Sequence, residues 1–402
     1  MIPRILRHAL AAAWRQFPLV VLTGARQVGK TTLARSFLPK ARYLTLDDPA
    51  VAEAARLNPA ELFAGAPAPV ILDEAQYAPE VFRHLKLLVD RERRPGQFLV
   101  TGSQTFELMR GVSESLAGRA AVLTLPALTL PELPEIGSLA ALDDYLWRGS
   151  YPELWRAPGT DRELWLGSYL ATYLERDVRN TLHVGSLRDF DRFLRACALR
   201  AGQLLSYADL SRDVGIAPNT AKSWVSVLEA SQQIFLLEPY HRQRNKRLVK
   251  SPKLYFSDTG LLTFLMGFGA VAELPKHALW GAIWENLVVS EVRKAFLVRG
   301  TRPPLWFWRT FTGEEVDLLI ETGPEQFTVV EAKTAARVDA TALRGVRALR
   351  NEYGAGAVQH ALIACRTARA YPLEEKGAAA AIPLIGPNGL MGRLPAARER
   401  TG

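Results

Sequence analysis

The segment from Gly24 to Thr32 combines glycines, a lysine and threonines at a fixed spacing. Its residues are Gly24, Ala25, Arg26, Gln27, Val28, Gly29, Lys30, Thr31 and Thr32. Glycine lets the backbone curl so that several N–H groups face one anion, while the lysine adds positive charge. The pattern G-x-x-x-x-G-K-[ST] therefore predicts a loop that binds the phosphates of ATP, with Mg²⁺ held by the hydroxyl of Thr31.

Two carboxylates, Asp73 and Glu74, directly follow the apolar run Val70-Ile71-Leu72. We expect Asp73 to hold magnesium through water and Glu74 to polarise the water that attacks the terminal phosphate. An acidic pair after a strand is usually a solvated turn, but the phosphate loop earlier in the chain favours the catalytic interpretation.

A third group of candidate residues lies near the C-terminus, where Asp317 is followed by Glu331 and Lys333 on the next apolar run. Glu331 and Lys333 share one face of a strand, because side chains alternate with a period of two. These acids and Lys333 could belong to a catalytic site, or they could form a structural ion pair in a domain without catalytic activity.

Five apolar runs in the first third of the chain are the predicted strands that position the first two groups. They are Leu19–Thr23, Tyr43–Leu46, Pro69–Leu72, Phe98–Thr101 and Ala121–Leu125. Continuous apolar runs, most of them separated by helical patterns, predict a parallel sheet covered on both faces. Because open parallel sheets bind ligands at the carboxyl ends of their strands, the polar residues after these runs should converge at one edge.

Prolines 126, 131 and 134 break regular structure, and two helical patterns follow at Leu139–Arg148 and Arg162–Arg179. A helix-turn-helix pattern then runs from Ser206 to Gln233. Its second helix should turn Ala221, Trp224, Val227 and Leu228 inward and Asn219, Thr220, Lys222 and Ser223 outward. The stretch Arg242 to Lys253 holds six Lys or Arg and no acid, which favours a DNA-binding wing over a purely structural one.

The last part of the chain mixes helical and strand patterns. The helices are predicted at about Trp280 to Phe296 and Ala340 to Arg350, and the strands at Leu305–Trp308, Val316–Glu321 and Thr328–Glu331. The predicted domains are an ATPase core at 1–134, a helical lid at 135–200, a winged helix-turn-helix at 201–255 and an α/β domain at 256–402.

Composition limits the protein class and its partners. The chain of 402 residues has 48% hydrophobic residues and a formal charge of +9, which favours polyanionic partners. Its two cysteines lack the spacing of a zinc site, and the apolar stretch 261–272 is shorter than a membrane helix of roughly 20 residues. We expect a cytoplasmic protein without a membrane span.

Four sequence blocks together resemble prokaryotic AAA-type P-loop ATPases that carry a C-terminal restriction-endonuclease-like domain of unknown function. The blocks are GARQVGKTTLAR, VILDEAQYAPEVFRHLKLLVD, FLVTGSQ and SLAGRAAVLTLPALTLPEL. The resemblance covers nearly the whole chain and implies that Ser103, or neighbouring Gln104, is the polar sensor after the fourth strand. It also implies that Arg119 is an arginine finger that reaches a neighbouring subunit, so that the protein is a homo-oligomer. The alternative for Arg119 is a solvated surface arginine.

The C-terminal acids resemble the D…ExK core of restriction-endonuclease-like domains, with Glu285 as a further acid on the preceding helix. This resemblance implies that Asp317, Glu331 and Glu285 bind Mg²⁺ and that Lys333 orients the attacking water. Taken together, the sequence predicts an ATPase that binds DNA and couples ATP hydrolysis to remodelling or processing it, with a metal-dependent nuclease domain. The alternatives are a DNA-binding switch without cleavage and a protein-remodelling scaffold.

Overall fold

The computed structural model describes residues 2–64, 68–103, 116–157, 159–173, 187–240, 251–374 and 378–395. Within these residues no helix is long and apolar enough to span a membrane.

The N-terminal part is a parallel sheet, as the apolar runs predict. Its strands among the described residues are β1 (Leu19–Thr23), β2 (Arg42–Thr45), β3 (Val70–Asp73), β4 (Phe98–Gly102) and β5 (Ala120–Thr124), in the order β2-β3-β4-β1-β5. β1 lies between β4 and β5. After β1 the chain crosses to β2 at one edge of the sheet and then returns strand by strand to β5 at the other edge, so the carboxyl end of β1 is at the switch point where such sheets bind ligands.

Helices cover both faces of this sheet. They are α1 (Arg7–Trp14), α2 (Lys30–Phe37), α3 (Pro49–Leu57), α4 (Pro59–Phe63) and α5 (Val81–Arg91). Val20 and Leu22 of β1 pack with α1 and α2 on one face, and Leu19 and Val21 pack with α5 on the other. The strand is therefore apolar at every position, since both of its faces are buried.

A helical segment follows the sheet, with α6 (Leu139–Arg148), α7 (Pro152–Arg156), α8 (Arg162–Tyr173) and α9 (Leu187–Ala198). The second helix was predicted to extend to Arg179, and its last six positions lie outside the described residues. The stretch after β5 joins this segment to the C-terminal domain, because Leu128, Leu130 and Leu133 share one buried core with α6 and with residues 283–296.

The helix-turn-helix consists of α10 (Tyr207–Val214) and α11 (Pro218–Ala230). The Ser206 hydroxyl accepts from the N–H of Asp209 at 3.2 Å and caps α10, while Gly215 ends it with a left-handed φ of 80°. Ala221, Trp224 and Leu228 are buried as predicted, but the fourth buried apolar residue is Val225, whereas Val227 is half-buried. Trp224 and Val225 are adjacent and both face inward, so the buried face of α11 is rotated slightly from the predicted one.

A two-stranded hairpin of β6 (Ile234–Leu237) and β7 (Lys253–Phe256) follows the helix-turn-helix. Residues 241–250, which hold most of the predicted basic wing, lie outside the described part of the chain. Lys253 was counted in that wing, and this was wrong: its side chain is 3% exposed and pairs with carboxylates of the C-terminal domain.

The C-terminal domain contains a mixed sheet packed against a long helix. It is preceded by α12 (Thr259–Leu265), whose buried leucines share a core with α9, α10 and α11. The described helices and strands of the domain are α13 (Trp280–Leu297), β8 (Leu305–Arg309), β9 (Glu315–Gly323), β10 (Gln326–Ala332), α14 (Arg344–Tyr353), β11 (Val358–Ala364), β12 (Tyr371–Pro372), β13 (Ala379–Ile382) and α15 (Leu390–Arg393). The strand order is β12-β13-β11-β10-β9-β8, with β10, β11 and β13 parallel. The overall α/β architecture is as predicted.

Candidate functional site

The glycine-rich loop curls between the end of β1 and the start of α2. Gly24 has a φ of 152° and Gly29 a φ of 94°, and a Cβ at Gly24 would lie 2.4 Å from the carbonyl oxygen of Leu125. Only glycine fits at that position. The Lys30 amine is buried and donates to the carbonyls of Gly24 at 2.9 Å and Ala25 at 2.8 Å, so its charge lies within the curl.

Asp73, at the end of β3, is the acceptor for hydroxyls from three elements. Thr31 donates to its carboxylate at 2.9 Å and Tyr43 at 2.6 Å, and Thr101 donates to its other oxygen. Partial burial and the bond to Asp73 raise the pKa of Tyr43 to about 12. A hydroxyl beside a carboxylate is a pair of hard oxygen ligands of the kind that Mg²⁺ prefers, so Thr31 and Asp73 fit the ion.

Glu74 follows Asp73 in a left-handed conformation with a φ of 55°. Its carboxylate accepts from the hydroxyl of Ser103 at 3.1 Å and from the side-chain amide of Gln76. The predicted sensor position is therefore in contact with the predicted base. Gln104, the other candidate sensor, lies outside the described residues.

A cavity of about 810 Å³ adjoins the phosphate loop. It is lined by Gln27, Gly29 and Thr32 of the loop region, by Ile2 near the N-terminus and by Arg156 of α7. Its volume is within the range of small-ligand sites, which is roughly 300–1,000 Å³. The cavity can therefore hold the part of a nucleotide that the phosphate loop does not.

Arg4, which no motif marks, ties the loop to the segment after β5. Its guanidinium donates to the carbonyls of Val28 and Pro126 at 2.6 Å each, and to Glu132 at 3.1 Å. The side chains of Arg4 and Glu132 are 7% and 0% exposed. This buried ion pair fixes the position of the Val28 carbonyl.

Arg119 lies just before β5, at the amino end of the sheet. It makes two bonds to Asp90 of α5, at 2.5 and 3.0 Å, and these bonds lower the pKa of Asp90. The phosphate loop is at the opposite edge, about 16 Å away along a five-residue strand. Arg119 is therefore not in contact with the phosphate loop of its own chain.

Carboxylates from α13 and β9 meet in the C-terminal domain. One oxygen from each of Glu285, Glu315 and Asp317 lies within 4.8 Å of the others, and these three residues are here called the carboxylate cluster. The Lys253 amine lies 2.9 Å from Glu285 and also pairs with Glu315. The donor set suits a divalent cation, but an amine already contacts two of its three members.

Glu331 and Lys333 lie beside this cluster. Lys333 donates to Glu331 at 3.1 Å and is 3.8 Å from Asp317, while Asp317 accepts from the N–H of Ala332 at 2.9 Å. Burial and the nearby charge of Asp317 raise the pKa of Glu331. The structure thus brings the four predicted residues Glu285, Asp317, Glu331 and Lys333 into one region, and it adds Glu315, which was not predicted.

The residues of these sites that the sequence did not predict include Arg4, Tyr43, Lys253 and Glu315. Glu315 could have been found, because it is two residues before Asp317 and so shares its strand face. The other three reach their sites from distant segments, and no spacing in the chain marks them.

Family models match most of the chain in three consecutive segments. An AAA domain matches residues 16–133, a domain of unknown function (DUF8612) matches 139–272 and another (DUF4143) matches 280–385. Uncharacterized proteins of Mycobacterium bovis and Mycobacterium tuberculosis are each 37% identical over 322 residues, which cover 79% of this chain and 69% of theirs.

Two solved structures show partial likeness to the chain. A Walker-type ATPase of Pyrococcus abyssi is 17% identical, with 65% of this chain and 94% of that chain covered and a TM-score of 0.43. A RuvB Holliday junction branch migration motor of Thermotoga maritima is 16% identical, with 57% and 88% covered and a TM-score of 0.31. Likeness at this level does not transfer an activity.

Proposed function

The chain belongs to a family of prokaryotic AAA-type P-loop ATPases with a C-terminal domain of unknown function, and we propose that it couples ATP hydrolysis to remodelling or processing of DNA. ATP binds at the curled loop, and Mg²⁺ binds at Thr31 and Asp73. The observation that carries the ATPase part is the convergence of the Thr31–Asp73 and Glu74–Ser103 contacts at one edge of the sheet.

Glu74 is the proposed base for water. Its carboxylate is held by Ser103 and Gln76, so it has a fixed direction. In the described part of the chain nothing donates to the buried Oε1 of Gln76, which makes this oxygen an acceptor for a bound water beside Glu74. Removing a general base costs roughly 10²–10⁴ in rate.

Two substitutions test this assignment. Lys30→Ala should abolish ATP binding, because it removes the buried positive charge of the loop. Glu74→Gln should bind ATP with wild-type affinity but hydrolyse it at least about 100-fold more slowly. Fluorescent-nucleotide titration and phosphate release measure the two properties, and normal turnover by Glu74→Gln would refute the role of Glu74.

Arg119 is proposed to act on ATP bound by a neighbouring subunit. The support is its place at the sheet edge opposite the loop, where an exposed pair with Asp90 can be exchanged for a contact in trans. The corresponding assembly is a homo-oligomer.

The helix-turn-helix is the proposed DNA-binding element. Asn219, Lys222 and Ser223 lie exposed on the first turns of α11, where side chains can meet phosphates or base edges. Lys222→Glu should weaken DNA binding and reduce its salt dependence, whereas the same charge change at exposed Lys276, outside this element, should not. Equal effects of the two substitutions would favour the protein-remodelling alternative.

Metal-dependent DNA cleavage by the C-terminal domain is the second candidate, favoured by the approach of Lys333 to Asp317 at 3.8 Å. If the domain cleaves, DNA cutting with Mg²⁺ should be lost in both Asp317→Asn and Lys333→Met. If the wild-type protein binds DNA but never cuts it, the switch without cleavage is the better description.

A further inference from the structure

Lys253 is the first residue of β7, and its amine lies inside the carboxylate cluster. The side chain is 3% exposed, whereas Lys333, the other lysine at this site, is 40% exposed. The amine contacts Glu285 at 2.9 Å and Glu315 more closely still. From two residues further along β7, the Tyr255 hydroxyl donates to the same oxygen of Glu285 at 2.6 Å.

Three carboxylates packed this closely need a cation, since repulsion and lost hydration otherwise make their charged forms unfavourable. A lysine ammonium offers three donors in a small volume and can serve several carboxylates at once. Lys253 provides such a charge from within the chain. A divalent ion bridging Glu285 and Glu315 would need the space that this amine occupies.

We propose that Lys253 is a built-in cation that takes the place of a divalent metal in the carboxylate cluster and keeps metal out while β7 stays docked. The cluster is then closed to Mg²⁺ as long as β7 is docked, and any cleavage that uses Asp317 and Mg²⁺ would first require β7 to move. This inference goes beyond the proposed function and does not depend on it.

Backbone hydrogen bonds hold β7, and with it the main chain of Lys253, beside the cluster. Leu254 donates to the carbonyl of Gln203 at 3.1 Å, and Leu205 donates to the carbonyl of Pro252 at 2.8 Å. Gly202 lies so close to the cluster that a Cβ there would be 3.5 Å from Glu285. The strand is therefore held by the residues that lead into the helix-turn-helix, and this junction fixes the point from which the lysine side chain reaches the cluster.

The test is Mn²⁺ binding to the nucleotide-free full-length protein, measured by electron paramagnetic resonance. Any Mn²⁺ site of the wild-type protein should persist in Glu315→Gln, which would show that the carboxylate cluster does not form it. In Lys253→Met a site at the cluster should appear and bind Mn²⁺ at least about 100-fold more tightly than any residual binding at the cluster of wild-type protein, because one positive charge in contact with two carboxylates has been removed. Adding Glu315→Gln to Lys253→Met should remove the new site.

Lys294→Met is the matched control, because Lys294 is equally buried and pairs with a single carboxylate of α13, Glu291. It should create no Mn²⁺ site. The proposal is overturned if wild-type protein has a tight site that Glu315→Gln abolishes, if folded Lys253→Met gains none, or if Lys294→Met gains an equal one. Should Lys253→Met fail to fold, the wild-type titration alone decides, and none of these readouts depends on DNA cleavage.

Discussion

The ion pair of Arg4 and Glu132 gives a prediction about how the phosphate loop is held. In Arg4→Met the guanidinium is lost while the carboxylate of Glu132 stays buried. Removing one partner of a buried pair costs about 3–5 kcal/mol. The lower end applies, since Glu132 still accepts from the N–H groups of Ile5 at 2.7 Å and Thr129 at 3.0 Å.

A loss of about 3 kcal/mol should lower the melting temperature of the ATPase part by about 6–12 °C. The double variant Arg4→Met/Glu132→Gln should recover only a small part of this loss: no unpaired charge remains buried, but the glutamine amide, whose NH₂ is a donor, cannot accept from both N–H groups that Glu132 serves. ATP should also bind about tenfold more weakly to Arg4→Met, since the Val28 carbonyl loses its donor.

Scanning calorimetry and nucleotide titration of the full-length protein measure these effects. A melting temperature of Arg4→Met within about 2 °C of wild type would show that the pair is not needed for stability. A double variant less stable than Arg4→Met would refute the reasoning that the stranded carboxylate causes the loss.

The remaining predictions concern Arg119, at the far edge of the sheet, and residues around the phosphate site. Arg119→Ala should lower ATP turnover by at least about 100-fold, while Asp90→Ala leaves it unchanged. Mixing Arg119→Ala with Lys30→Ala protein should restore part of the turnover. Equal effects of Arg119→Ala and Asp90→Ala would show that the ion pair matters rather than a contact with ATP. Ser103→Ala should slow turnover about tenfold, less than Glu74→Gln, because Gln76 still holds the base. With its pKa raised to about 12, Tyr43 keeps its proton in the folded state between pH 10 and 12 while the unfolded chain loses it, so stability falls as pH rises. Melting curves of Tyr43→Phe should lack this part of the fall, and identical pH profiles would exclude it.

Local patterns were enough to predict the N-terminal sheet and its loop. The strand Leu19–Thr23 was placed without error and the ends of the other four strands to within one residue, because continuous apolar runs and a glycine-lysine loop depend on neighbouring residues only. The same holds for the cap at Ser206.

Contacts between distant segments could not be predicted from one sequence. Lys253 lies in a basic run that suggests a solvated surface, yet its side chain points into the C-terminal domain. Arg4 and Tyr43 likewise meet partners whose positions depend on how helices and strands pack. Charge and spacing specify which residues can react, but only the packed structure specifies which charges they meet.

The shared core after β5 has a practical consequence for anyone who wishes to study one part of the protein in isolation. If the chain were divided near residue 134, the N-terminal fragment would expose Leu128, Leu130 and Leu133 to water. The C-terminal fragment would keep Glu291 and Lys294 but lose the backbone groups of Leu130 and Leu128 that they bind. Such fragments should aggregate, because large exposed apolar patches associate. Enzymology on this chain therefore requires the whole polypeptide.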